Sequence, residues 1–128
     1  MCAIIAGQRT DEPGMSVDYT QYCPVGRTLD IIGDRWTILI LRDLVLDGPR
    51  RFHDLQDSLS RISPNTLSAR LKTLEQNGII ERRFYADHPP RAEYVLTAKG
   101  SELRPVLRAL RMWGEKHTRP PQRRAAAD

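Results

Sequence analysis

The stretch Arg61-Ile62-Ser63-Pro64-Asn65-Thr66-Leu67-Ser68-Ala69-Arg70-Leu71-Lys72-Thr73-Leu74-Glu75-Gln76-Asn77-Gly78 decides the fold. It reads as one complete helix with both ends marked. Ser63 is a good N-cap, because its hydroxyl can accept a backbone N–H that the first turn leaves unpaired. Pro64 takes the first helical position, where its missing N–H costs nothing. Asn77-Gly78 closes the other end, with Gly78 free to adopt the left-handed conformation. Leu67, Leu71 and Leu74 follow the i, i+4, i+7 spacing, so one narrow stripe is buried. At about 100° per residue, Asn65, Ala69, Lys72 and Gln76 fall opposite that stripe, flanked by Thr66, Ser68 and Thr73. This outward face is small, hydrogen-bonding and positive, with no carboxylate before Glu75. Short polar side chains and a cation on an exposed helix are what a DNA major groove accepts. An ordinary solvated face has the same composition, so the neighbouring segments must decide.

Working outward, His53 to about Leu59 reads as a preceding helix, and Ser60-Arg61-Ile62 as the turn between the two. Helix, three-to-four-residue turn, helix is the helix-turn-helix layout. Further upstream, Pro24 to about Ile32 forms a short helix with Val25, Leu29 and Ile32 on one side. Gly33 interrupts it, and Asp34 caps a second helix from Arg35 to about Leu46. That helix is apolar almost all round (Trp36, Ile38, Leu39, Ile40, Leu41, Leu44, Val45), which predicts the central buried element. Gly48-Pro49 is a turn, and Arg50-Arg51-Phe52 a short extended piece.

Downstream, Ile79–Tyr85 and Ala92–Leu96 are β-rich and partly alternating, and read as a hairpin joined by residues 86–91. Pro89-Pro90 stiffens its tip and holds Arg91 at the base. Thr97 then caps a long last helix, with Leu103, Val106, Leu107, Leu110, Trp113 and His117 on a wide stripe. Gly100 and Pro105 are unfavourable inside it, so a kink or a late start near Pro105 is expected. The fold class is therefore mainly α with a small β-hairpin (α+β), and helix-turn-helix plus hairpin is a winged helix.

The 128 residues suffice for one domain with a real core and no disulfide or metal. Residues 1–20 lack periodicity and read as a flexible extension, 21–118 as the folded domain, and 119–128 as a loose basic tail. Lys and Arg number 20 against 16 Asp and Glu, a net charge of +4 that permits nucleic-acid binding without demanding it. The central 96 residues carry all of that excess, since the −2 of residues 1–22 cancels the +2 of the tail. No apolar run is long enough to span a membrane and no basic leader precedes an apolar segment, so a cytoplasmic protein is expected. No cofactor is expected. The histidines His53, His88 and His117 lie far apart and no Cys/His pair has ligand spacing, so no metal is expected.

The chain resembles the HxlR-type transcriptional regulators, relatives of the MarR group. The resemblance rests on Cys23-Pro24-Val25-Gly26-Arg27, Asp30-Ile31-Ile32-Gly33-Asp34-Arg35-Trp36 and Gly48-Pro49-Arg50-Arg51-Phe52. It continues through Ile62-Ser63-Pro64, Leu67-Ser68-Ala69-Arg70-Leu71, Leu74-Glu75, Gly78-Ile79-Ile80, Pro89-Pro90-Arg91 and Glu93-Tyr94. It ends on Leu96-Thr97, Gly100 and Leu103-Arg104-Pro105-Val106-Leu107, covering roughly residues 22–118. So many segments in order carry far more weight than any one motif. The resemblance implies a homodimer whose first and last helices build the interface. It also implies a recognition helix in the major groove of a palindromic operator and a wing at the adjoining minor groove. Similar sequences often carry Lys or Arg at the position of Asn65 and Gln at that of Ala69, so the operator read here differs.

On this reading Ser63, Asn65, Thr66, Ser68 and Lys72 are the base-edge and phosphate candidates. Arg70 lies about 60° from the buried stripe, where pairing with an acidic neighbour and contacting a phosphate are equally open. Arg50 and Arg51 flank the site near a phosphate, with solvated charge as the alternative. Arg91 is the best wing residue, because a narrow minor groove attracts guanidinium, and His88 is a weaker candidate at the wing tip. Val25, Leu29, Leu103, Leu107, Leu110 and Trp113 are the expected dimer contacts, and Trp36 falls on an apolar stripe as core or dimer interface.

Two cysteines in a cytosolic chain do not suggest a structural disulfide. Cys2 lies in the extension. Cys23 precedes Pro24 at a helix start, where the local positive potential favours thiolate. Some similar proteins sense quinones, aldehydes or hypochlorite through a cysteine at this Cys-Pro position, and others share it without sensing. Cys23 is thus a candidate redox sensor for an oxidant or small-molecule inducer, and a packed cysteine at the dimer edge is the alternative. Repression is the commoner outcome in similar proteins. A winged-helix protein-interaction module without sequence-specific DNA binding remains the alternative function, which the carboxylate-poor recognition face argues against. An enzyme finds no phosphate loop, nucleophile elbow or paired carboxylates to support it.

Overall fold

The computed structural model describes residues 22–121. The expected extension over residues 1–20, Cys2, and the tail from residue 122 onward lie outside the described residues. In chain order the elements are α1 (Pro24–Ile32), α2 (Arg35–Asp47), α3 (Phe52–Ser58), α4 (Pro64–Gln76), β1 (Ile80–Asp87), β2 (Pro90–Leu96), α5 (Ala98–Ser101) and α6 (Arg104–His117). Their order and type match the winged helix expected from the sequence.

Helix α2 is the centre, in contact with α1, α3, α4, α6 and β2. Its Ile40, Leu41 and Leu44 meet Leu55 and Leu59 around α3, and Leu67, Leu71 and Leu74 from α4. Ile79 and Ile80, at the root of the hairpin, close the core. Each such side chain taken fully out of water contributes about 1.5–3 kcal/mol, so the narrow stripe of α4 holds the helix against the core. One exception interrupts the apolar pattern of α2. Asp43 is buried, with Oδ1 taking Nε and Nη2 of Arg42 at 3.1 and 2.9 Å, while Oδ2 has no partner.

The punctuation of α4 is as the sequence implied. The Thr66 N–H donates to Ser63 Oγ at 3.1 Å, and Gly78 takes a φ of 73° beyond the C-cap. The turn between α3 and α4 is tied by the Ile62 N–H to the Leu59 carbonyl at 2.7 Å.

Two boundaries differ from expectation, and a third, the late start near Pro105, is as expected. Helix α3 starts at Phe52 rather than His53, because the Arg51 N–H is capped by Asp54 Oδ2 at 3.1 Å. The strands extend further, leaving only His88-Pro89 as the turn, with Arg91 paired opposite Ala86 beyond an irregularity at Phe84–Ala86. The last helix is two helices, broken at Glu102-Leu103, so Pro105 falls harmlessly in the first turn of α6. Gly100 has its own reason: a Cβ there would collide with the Ile79 carbonyl, so only glycine lets α5 close on the hairpin root.

The antiparallel hairpin pairs Ile80 with Leu96, Arg82 with Tyr94 and Arg83 with Glu93. Arg50 adds a third, single-residue rung: its N–H reaches the Tyr94 carbonyl at 3.1 Å and its carbonyl takes the Tyr94 N–H at 2.7 Å. The wing is thereby stitched to the segment that leads into the helix-turn-helix.

Candidate nucleic-acid interface

The outward face of α4 is built from side chains with nothing to do inside the chain. Asn65, Ser68, Lys72 and Gln76 are exposed, and none makes a hydrogen bond or ion pair among the described residues. Thr66 is half-buried, its hydroxyl accepting from Ser63 Oγ at 2.9 Å. Ser63 therefore both caps α4 and holds Thr66, which leaves it less available than its exposure suggests. Thr73 folds back onto its own helix, donating from Oγ1 to the Ala69 carbonyl at 3.1 Å. The free groups form one polar strip along the helix, flanked by Arg61, exposed in the turn before it.

The nominated arginines divide. Arg70 turns away from the strip, its Nε 3.0 Å from Asp34 Oδ2 at the start of α2. Arg50 is half-buried and directed inward, with Nη1 3.4 Å from Asp47 Oδ2 and Nη2 donating to the Asp54 carbonyl at 3.2 Å. Arg51 is exposed at the head of α3, its Nε 3.4 Å from Asp54 Oδ2. The neighbouring Tyr85 of the wing, and then Asp54, hold the Arg51 guanidinium even more firmly charged than usual. In return the Arg51 backbone N–H, and then its side chain, hold the Asp54 carboxyl below the ordinary carboxylate range. Arg51 thus joins the helix-turn-helix to the wing while keeping an exposed cation.

On the wing, Arg82 sits 3.5 Å from Glu75 Oε2 of α4 and 5.8 Å from the Phe84 ring centre. Arg83 pairs with Glu93 directly across the strands at 2.7 Å. His88 and Arg91 are exposed at and beside the tip, with no ion pair among the described residues. Sequence reasoning did not assign Arg61, Arg82 or Tyr85. Period-two alternation would have put Arg82 and Phe84 on one face. Arg61 was visible as the cation adjoining the N-cap.

A second surface lies elsewhere. Helix α6 has no buried residue, and Val106, Leu110, Met112 and Trp113 are exposed on it. Val25 and Leu29 of α1, and Leu46 of α2, are exposed too. Leu103 and Leu107, grouped with the dimer candidates from the sequence, pack partly against the chain's own core, as Trp36 does. Between α2 and α6 runs a groove of about 760 Å³ lined by Leu46, Leu107, Leu110 and Met112 among others. Cys23, the N-cap residue of α1, is half-buried and disulfide-bonded, which corrects the expectation of a free thiol. Its partner falls outside the described residues. Among the described residues no group of His, Cys, Asp and Glu could hold a metal ion, and no helix is long and apolar enough to cross a membrane.

The sequence of residues 31–122 is matched by a family model, HxlR-like helix-turn-helix. The chain belongs to the HxlR-like helix-turn-helix family. An uncharacterised HTH-type transcriptional regulator of Synechocystis sp. is 46% identical over 92 residues, spanning 72% of this chain and 67% of that protein. The redox regulator HypR in its oxidised form superimposes with a TM-score of 0.70 at 35% identity, covering 77% of this chain and 100% of that one. The reduced form of the transcriptional regulator YodB from Bacillus subtilis gives 0.64 at 35% identity, covering 78% and 98%. In HxlR-like terms α3 and α4 are the helix-turn-helix, and β1–β2 the wing.

Proposed function

We propose that the protein is a homodimeric, cytoplasmic, sequence-specific DNA-binding repressor of transcription. The observation that carries this reading is the strip of unpartnered polar side chains and one cation on α4, with the carboxylates of Glu75 and Asp54 already paired. Glu75 is turned to Arg82, and Asp54 to Arg51. A protein-binding face would not need to be so poor in both apolar groups and carboxylates.

In this reading Asn65, Thr66 and Ser68 meet base edges, while Lys72, Arg61 and Arg51 meet phosphates. Arg91 and His88 reach the adjoining minor groove. Arg50 serves by locking the wing to the helix-turn-helix. The dimer forms by burying the exposed residues of α6 against the partner's α1, around Val25 and Leu29. That supplies the two-fold symmetry a palindromic operator requires.

We also propose that operator affinity follows the redox state of Cys23, supported by its disulfide here and by relatives solved as an oxidised redox regulator and as diamide-treated YodB. A gel shift on DNA flanking the gene, run as a salt series, tests the main claim. Binding is expected to prefer that DNA over a scrambled duplex and to weaken by orders of magnitude from about 50 to 200 mM salt. Equal affinity for both duplexes contradicts it. Diamide treatment of wild type and Cys23→Ser, both first reduced with dithiothreitol, tests the redox claim, with only wild type expected to respond.

A further inference from the structure

Arg70 is the residue of the recognition helix whose chemistry most suggests DNA and whose position does not. Its side chain is 39% exposed, but Nε is sealed from solvent and lies 3.0 Å from Asp34 Oδ2. The carboxylate is off the N–H axis, so the contact is an ion pair rather than an in-line hydrogen bond. Asp34 is itself committed. The same Oδ2 accepts the Thr37 N–H at 3.0 Å and the Thr37 hydroxyl at 3.3 Å, capping α2. Immediately before it, the Gly33 N–H ends α1 on the Leu29 carbonyl at 2.7 Å. One carboxylate oxygen, on the residue that follows the corner between α1 and α2, therefore joins the first turn of α2 to α4.

We infer that Arg70 is a positioning residue rather than a DNA contact, and that the Asp34–Arg70 pair sets the roll of α4 against the α1–α2 corner. The inference rests on the DNA-binding reading above and deepens it. The leucine stripe of α4 resists translation but is narrow, and a narrow apolar stripe limits rotation about the helix axis poorly. Arg70, placed beside that stripe, adds a constraint from the α2 side, as Glu75 does from the wing through Arg82. Rotation matters because Asn65, Ser68 and Lys72 project from the opposite face. Base readout tolerates only a few tenths of an ångström of misplacement. Because α1 is the helix proposed to lie at the dimer seam, the tether also refers each recognition helix to the symmetry axis.

The test is a double-mutant cycle on operator DNA with Arg70→Ala, Asp34→Asn, the double variant and Arg70→Lys. Asparagine keeps an N-cap acceptor for Thr37 while removing the charge, so α2 remains capped. Each single substitution is expected to weaken operator binding about tenfold, and the double variant no more than the worse single one. Discrimination against scrambled DNA should fall with it, while the slope of affinity against salt stays that of wild type. Arg70→Lys, which keeps a cation without the fork, should recover part of the loss. Thermal melts confirm that each variant is folded, so the binding change is not lost structure. The inference is overturned if Arg70→Ala lowers the salt slope by about one unit while Asp34→Asn binds like wild type. Additive effects overturn it as well. A wild-type protein blind to sequence would remove the DNA-binding reading itself, an outcome distinct from either.

Discussion

Helices α4 and α6 have nearly the same length, 13 and 14 residues, yet their surfaces are arranged in opposite ways. Helix α4 puts Leu67, Leu71 and Leu74 out of water and presents polar groups outside. Helix α6 buries nothing fully and presents Leu110 at 51% and Trp113 at 62% exposure. The first is complete within one chain, and its exposed face suits water or the wet, charged grooves of DNA. The second carries more apolar surface than a single chain covers, and large exposed apolar patches mark protein contacts. Under the proposed function they divide the two tasks of a symmetric DNA reader, one helix to read and another to pair the readers.

Four substitutions would break or sharpen this contrast. The largest effect should come from the inward face of α4. Leu71→Ala should cost about 2–5 kcal/mol of stability, measured by denaturant unfolding. On α6 the sensitivity should lie outward instead. Leu110→Glu should leave helical content intact by circular dichroism but yield a monomer in sedimentation. Losing one of two half-site grips should then weaken operator binding about a hundredfold. A dimeric Leu110→Glu variant would mean that α6 pairs with nothing.

The outward face of α4 should be silent in stability and audible in binding. Asn65→Ala should relax preference at one operator position at a cost of about 1–3 kcal/mol, read by competition with single-base operator variants. Smallest is Asp54→Asn, which weakens the cap of α3 and should cost about 1 kcal/mol near neutral pH. The sign follows from the direction of the shift. Asp54 titrates below its ordinary value of 3.8 in the folded chain, so its contribution is complete above that value. It is lost as pH falls through the lower, folded-state value. Stability curves of wild type and Asp54→Asn should therefore converge in acid, and parallel curves would refute the capping role.

The contrast between α4 and α6 was legible in the sequence because it is local. Caps at Ser63 and Gly78 and the leucine spacing specify α4 without reference to any other segment. The exposed stripe of α6 was equally visible as periodicity. What was not legible depends on partners distant along the chain. Nothing near Arg70 reveals that Asp34 meets it, nor does composition show that Arg50 pairs its backbone with Tyr94. The hairpin ends were misplaced because cross-strand register, not propensity, carries pairing out to Arg91. The break at Glu102-Leu103, by contrast, was signalled by Gly100 and Pro105, and packing supplies its reason, since α5 closes on the Ile79 carbonyl before α6 departs. The candidate residues on α4 were thus nominated from their own neighbourhood, while only the fold shows which of the cations around them are paired within the chain.

The central claim is that α4 reads DNA and that two copies are held together to read it twice. Selection of bound duplexes from a random pool, using the full chain, tests both halves at once. The account predicts enrichment of an inverted repeat whose half-sites are centred about 10 base pairs, or a multiple of that, apart. Enrichment of a single unrepeated site would contradict the pairing of the readers, and no enrichment at all would contradict the reading itself.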